Sequence, residues 1–164
     1  MSFLSTAGRK IRTASAMPAL DLSLVVPVII LLGIARLAIL LCPFRWYAKR
    51  LGQQVGLKPQ TLQITPKQAY RARRTGRIVR LCARITPWQS LCLAQAMVAT
   101  ALLRLTKTPY HVYFGLSPKN GQNTPDPLAA HAWVRLDEYN ITGGQNVGMY
   151  TVVNVFEYVA KDAR

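Results

Sequence analysis

Cys92 and His131 are the two side chains of this chain best placed to act together. Cys92 stands in PWQSLCLAQA (residues 87–96), the opening of an apolar helix, and His131 stands in Ala130-His131-Ala132-Trp133, the head of an expected strand about forty residues later. A thiol beside an imidazole is the minimum set for nucleophilic acyl transfer. The imidazole takes the thiol proton, the thiolate attacks a carbonyl carbon, and the imidazolium returns the proton to the leaving amine. A helix start adds to this. Its unbonded N–H groups and positive dipole end favour thiolate over thiol and can face an oxygen on which charge develops. Neither residue is decisive alone, because free cysteines and strand histidines are more often packed, inert groups. Gln89, three residues before Cys92, reads either as an oxyanion donor or as an ordinary helix-start side chain. His111, Cys82 and Cys42 lack this context and read as structural.

The elements that must position the pair can be placed from pattern. Thr65-Pro66-Lys67-Gln68 opens a helix: Thr65 caps, Pro66 suits the first helical position, and Gln68 completes a capping box. That helix is expected to run to Ile85, with Ile78, Leu81, Cys82 and Ile85 as its apolar seam and Arg73, Arg77, Arg80 and Arg84 along another face. Pro87 ends it. A second helix is expected from an N-cap at Ser90 to Leu105, apolar nearly all round and therefore the central buried helix. Strands are expected over Tyr110–Leu116, His131–Leu136, from Ile141 onward, and over Tyr150–Val159. Residues 117–127 form a loop, residues 137–140 a turn, and Gly143-Gly144 a bend. Helices first and then an antiparallel sheet packed on the buried helix make the fold class α+β.

The amino half has a different character. Residues 22–42 are almost wholly apolar and about the length of a bilayer span, but Pro27 and Arg36 interrupt them and basic residues flank both ends. One or two buried or interfacial helices packed on the rest of the chain are favoured over a span. Residues 51–64, with two glycines and a proline, read as a linker, which divides the chain into an apolar and basic region (1–64) and a second domain (65–164). Charge is lopsided: 21 Lys+Arg against 6 Asp+Glu give +15, and no acidic residue occurs between Leu22 and Pro125. Such a field suits anionic partners: a membrane surface or an acidic protein or peptide. Nucleic acid is not expected, since the arginines lack interleaved aromatics or a recognisable binding fold. Three unpaired cysteines show neither a disulfide framework nor a zinc pattern, so a reducing cytoplasm is expected, without metal or cofactor.

The string PWQSLCLAQAMVATALLRL followed by AHAWVRL resembles the transglutaminase-like cysteine peptidases of lasso peptide biosynthesis. Their members carry a Trp-x-x-x-Cys-Leu element on a helix and an Ala-His-Ala-Trp element on a strand. The resemblance covers about residues 66–157, and Pro43-Phe44-Arg45 also looks like this family. Trp88, Cys92, His131 and Trp133 fall on its motif positions. The resemblance implies a papain-like core and a leader peptidase that cuts the leader from a ribosomally made precursor peptide. It also implies two partners besides the precursor: a separate leader-recognition protein and a cyclase. Trp88, Gln89 and Trp133 would then line the site. The family's third catalytic member, an aspartate about a dozen residues after the histidine, falls where this chain has Ile141-Thr142-Gly143-Gly144. Asp137 is the nearest acid, and Asn146 is an alternative, since asparagine also orients imidazole in papain-like enzymes.

A reading of another class competes with the peptidase: a non-catalytic, membrane-apposed basic adaptor that binds an anionic partner. It requires no activated thiol at Cys92, whereas the peptidase does.

Overall fold

The computed structural model describes residues 23–88, 91–118 and 128–160. Among the described residues, four helices precede or cover one sheet: α1 (Val25–Leu41), α2 (Phe44–Ala48), α3 (Pro66–Ile85) and α4 (Cys92–Leu105). The sheet has five strands: β1 (Gln53–Val55), β2 (Tyr110–Pro118), β3 (Leu128–Leu136), β4 (Tyr139–Thr142) and β5 (Thr151–Tyr158). Their spatial order is β1-β5-β2-β3-β4, with every neighbouring pair antiparallel. The fold is α+β, as the sequence indicates.

The start of α3 follows from its side chains. The Thr65 hydroxyl accepts from Gln68 N–H, and the Gln68 side chain reaches back to Thr65 N–H at 2.9 Å, so two orphan donors are satisfied reciprocally. Pro66 occupies the first turn, where its missing N–H removes nothing. Ala72, Thr75, Ile78, Val79 and Cys82 are its buried side, while Leu81 is half-buried and Ile85 exposed. The arginine face is partly committed to structure. Arg80 donates to the Ile141 carbonyl and Arg73 lies 5.8 Å over the Tyr139 ring, which ties α3 to β4.

α4 is the central helix. Ala94, Ala96, Val98, Ala99, Thr100 and Leu103 are buried, and the small residues among them let neighbouring elements approach closely. It packs against α1, α3 and the sheet. Leu103 is fully buried, so Leu103→Ala costs about 2–5 kcal/mol. The helix begins at Cys92 with Leu91 as its N-cap residue and no side-chain cap, not with a cap at Ser90. Ser90 and Gln89 lie outside the described residues.

Residues 51–64 are not wholly a linker. Gln53–Val55 pair with Glu157–Val155 as the edge strand β1, which joins the amino half to the sheet. α1 packs one side, Val28, Leu32 and Ala35, into the core, and no helix among the described residues is long and apolar enough to cross a membrane.

Candidate active site

The site forms where two elements stop. β4 ends at Thr142, paired with Val134, while β3 runs on towards Leu128 with no β4 partner beyond that point. The amino end of α4 reaches this open corner. Cys92, Gln95, Ala83, Arg84, His131, Gly143 and Gly144 line one cleft there, of about 240 Å³. The structure therefore brings the two candidate residues together, from a helix start and a strand as expected.

His131 is held from three directions. Its Nε2 lies 2.7 Å from the Gly143 carbonyl oxygen. A carbonyl only accepts, so Nε2 carries the proton, and the neutral imidazole has its lone pair at Nδ1. The ring is also flanked by Tyr150, 4.8 Å away, and by Trp133, 5.8 Å away at an interplanar angle of 23°. Tyr113 in turn stacks on Trp133. Gly115 lies directly opposite His131 in the β2–β3 pairing, and a Cβ there would sit 2.8 Å from Tyr150 Cβ and 3.0 Å from the Trp133 ring. Its bare backbone leaves the room that these rings occupy.

Gly143 has φ of +67°, the left-handed conformation that glycine adopts without penalty. A Cβ at this position would stand 2.5 Å from the Ala132 main-chain oxygen. The bend turns the Gly143 carbonyl onto His131, and only the residue without a side chain fits. The partner of the imidazole is thus a main-chain atom, twelve residues on, at the place where the resemblance leads one to seek an aspartate.

Neither proposed side chain holds that position. Asp137 lies in the β3–β4 turn, six residues along an extended strand from His131, a distance of about 20 Å. Its own main-chain oxygen accepts from Arg135 Nε at 2.7 Å. Asn146 is exposed, has a left-handed backbone, and precedes the short 3₁₀ turn Val147–Met149. The bulge between Val134 and Arg135 and the early end of β4 remove the regular hairpin that would have set Asn146 opposite His131.

The residues expected to line the site divide differently. Trp133 is buried, and its ring flanks the His131 imidazole. Trp88 packs towards α1: a Cβ on Gly33 would lie 3.5 Å from its ring. Trp88 is not among the residues that line the cleft. Tyr150 and Gly115 carry no motif, although a glycine inside a strand pattern marks a close approach, and Arg84 of the arginine face also lines the cleft.

Helix geometry gives Cys92 its surroundings. Gln95 N–H is bonded to Leu91 O at 3.1 Å, so the N–H groups of Cys92, Leu93 and Ala94 precede the first intrahelical bond. Cys92 is half-exposed, whereas Cys82 is fully buried and donates towards the Val25 carbonyl. Burial pushes the Cys82 thiol up to about 11, against a small lowering by a backbone hydrogen bond. Among the described residues, no group of three or more histidine, cysteine or acidic side chains could hold a metal ion.

A family model described as the Transglutaminase-like superfamily matches residues 38–155, well over half of the chain. No curated protein and no solved structure matches.

Proposed function

The chain belongs to the transglutaminase-like superfamily, and from that premise we propose that it is a cysteine peptidase that removes the leader of a ribosomally made lasso peptide precursor. The observation that carries the reading is the shared cleft of Cys92 and His131, with Nε2 tied to Gly143 O and Nδ1 left as the base. The resemblance of Trp88-x-x-x-Cys92-Leu93 and Ala130-His131-Ala132-Trp133 to the lasso peptidase motifs supports this substrate class. A separate leader-recognition protein and a cyclase are its proposed partners.

In the proposed reaction His131 Nδ1 takes the Cys92 proton, and Sγ attacks the scissile carbonyl carbon. Negative charge develops on the carbonyl oxygen, where the first N–H groups of α4 can meet it. The C–N bond breaks, and the imidazolium gives its proton to the leaving amine. Water then adds to the thioester as imidazole removes a proton from it, and the carboxylic acid and free thiol are released. The Gly143 carbonyl holds the ring in the productive tautomer and stabilises the imidazolium.

The test is cleavage of a lasso precursor in the presence of its leader-recognition protein, followed by mass spectrometry. Cys92→Ala is expected to abolish release of the leader and Cys82→Ala to retain it. Full activity in Cys92→Ala would overturn the proposal.

A further inference from the structure

The side of α1 away from the core is apolar and uncovered. Val26, Ile30, Ile34, Leu37, Leu40 and Leu41 are each more than half exposed. They recur at spacings of four, four, three, three and one, which places them on one helical face, opposite Val28, Leu32 and Ala35 in the core. Soluble chains scatter exposed apolar residues singly; a continuous row along a whole helix marks a contact surface. Immediately after it come Phe44 and Trp46, both exposed, and the exposed cations Arg45, Lys49 and Arg50. Next to this face runs a groove of about 480 Å³ between α1, α2 and α4, with Leu31, Ile34, Ala38, Trp46 and Met97 among its walls and Arg50 and Arg104 on its lining.

We infer that this face of α1, with the aromatic and basic residues of α2, docks the protein on the surface of an anionic lipid bilayer. Three observations select lipid. The exposed row carries no polar residue, and its neighbours are two aromatics and three cations, the arrangement of a helix lying in the headgroup boundary. The chain's charge of +15 repels a second copy brought face to face and attracts an anionic surface. An apolar groove with two arginines on its lining suits an acyl chain beneath an anionic headgroup. The helix lies along the surface and does not span: 17 residues extend about 25 Å, short of a hydrocarbon core of about 30 Å, and its other side belongs to the core. This inference stands apart from the peptidase reading, since Cys92 and His131 lie outside the face.

Co-sedimentation of the full chain with phosphatidylcholine vesicles, with and without phosphatidylglycerol, tests it. We expect at least about tenfold stronger partition onto the anionic vesicles, weakened by salt. The triple variant Ile30→Ser/Leu37→Ser/Leu41→Ser and the triple variant Arg45→Glu/Lys49→Glu/Arg50→Glu should each reduce binding by about tenfold or more, with unchanged circular dichroism. Leu105→Ser, at an 82 % exposed position on the far end of α4, and Cys92→Ala should bind as the unaltered chain does. Three results would overturn the inference. One is a lack of binding to anionic vesicles, and another is equal binding by the serine triple variant. The third is sedimentation velocity showing that this face closes a dimer that the serine variant dissociates.

Discussion

The two histidines of this chain lie on the same face of neighbouring strands and have opposite surroundings. His111, at one end, is buried and contacts Glu157 at 2.9 Å, its direct neighbour in the β2–β5 register. His131, at the other end, meets a neutral carbonyl and opens onto the cleft with Cys92. The pair with a carboxylate has the outward form of a catalytic His–acid couple, yet no thiol joins it. The contrast separates two features: His111 has a carboxylate and no cysteine in its contact, and His131 has a main-chain partner and a cleft shared with Cys92. On the proposed reading, the base is the imidazole with a fixed tautomer at the end of the sheet that a helix start reaches.

Substitutions can break or sharpen this contrast. The largest effect is expected for His131→Ala, which should lower leader cleavage by about 10²–10⁴-fold while the same change at His111 leaves the rate per folded molecule nearly intact. Steady-state cleavage assays on both proteins, normalised for folded fraction, decide the point; equal losses would erase the distinction between the two ends.

Gly143→Ala comes next. It places a Cβ against the Ala132 oxygen at a positive φ, so about 1–3 kcal/mol of stability should be lost and the cleavage rate should fall with it. A rate unchanged after correction for unfolding would remove the carbonyl from the mechanism.

His111→Ala should instead act on stability alone. Removing one partner of the part-buried contact to Glu157 costs about 1–3 kcal/mol, read as a lower urea midpoint.

The smallest effect concerns the two thiols on neighbouring helices. The folded-state pKa of Cys82 is raised from 9.0 to about 11, so its contribution to stability is fully present below pH 9 and fades as pH rises towards 11. The difference in urea midpoint between the unaltered chain and Cys82→Ala should shift against the unaltered chain over that interval. Iodoacetamide at pH 7 should label Cys92 in the native protein and Cys82 only after unfolding. Native labelling of Cys82 at neutral pH would contradict its burial.

Much of the scaffold is legible in the sequence for local reasons. The Thr65–Gln68 box, the proline at residue 66 and the stop at Pro87 are short-range signals, and α3 keeps the expected bounds, Pro66–Ile85. β5 is marked by its run of Val, Tyr and Phe. β1 is not, because Gln-Gln-Val has no apolar period and becomes a strand only by pairing with β5. The N-cap of α4 is Leu91, one residue after the expected Ser90. Ser90 is a good cap by type, but the chain turns into the helix one residue later. At the site, Cys92 and His131 are readable because helix-start and strand motifs carry them. The supporting Tyr150 is not, since its proximity to His131 depends on how β5 follows the bend at Gly143. Trp88 has the right motif position and a different task, packing near Gly33.

The Gly143 carbonyl has a consequence for heredity. An orienting aspartate can be lost by one codon change and recognised in any relative by its letter. A main-chain oxygen is present in every amino acid, so what must be inherited at residue 143 is a bend, and a glycine codon is the only one that encodes it without a steric clash. A survey that replaces side chains one at a time would record this position as a folding defect. A search for the missing acid would pass over it. The third contact of the site is transmitted as the absence of a side chain.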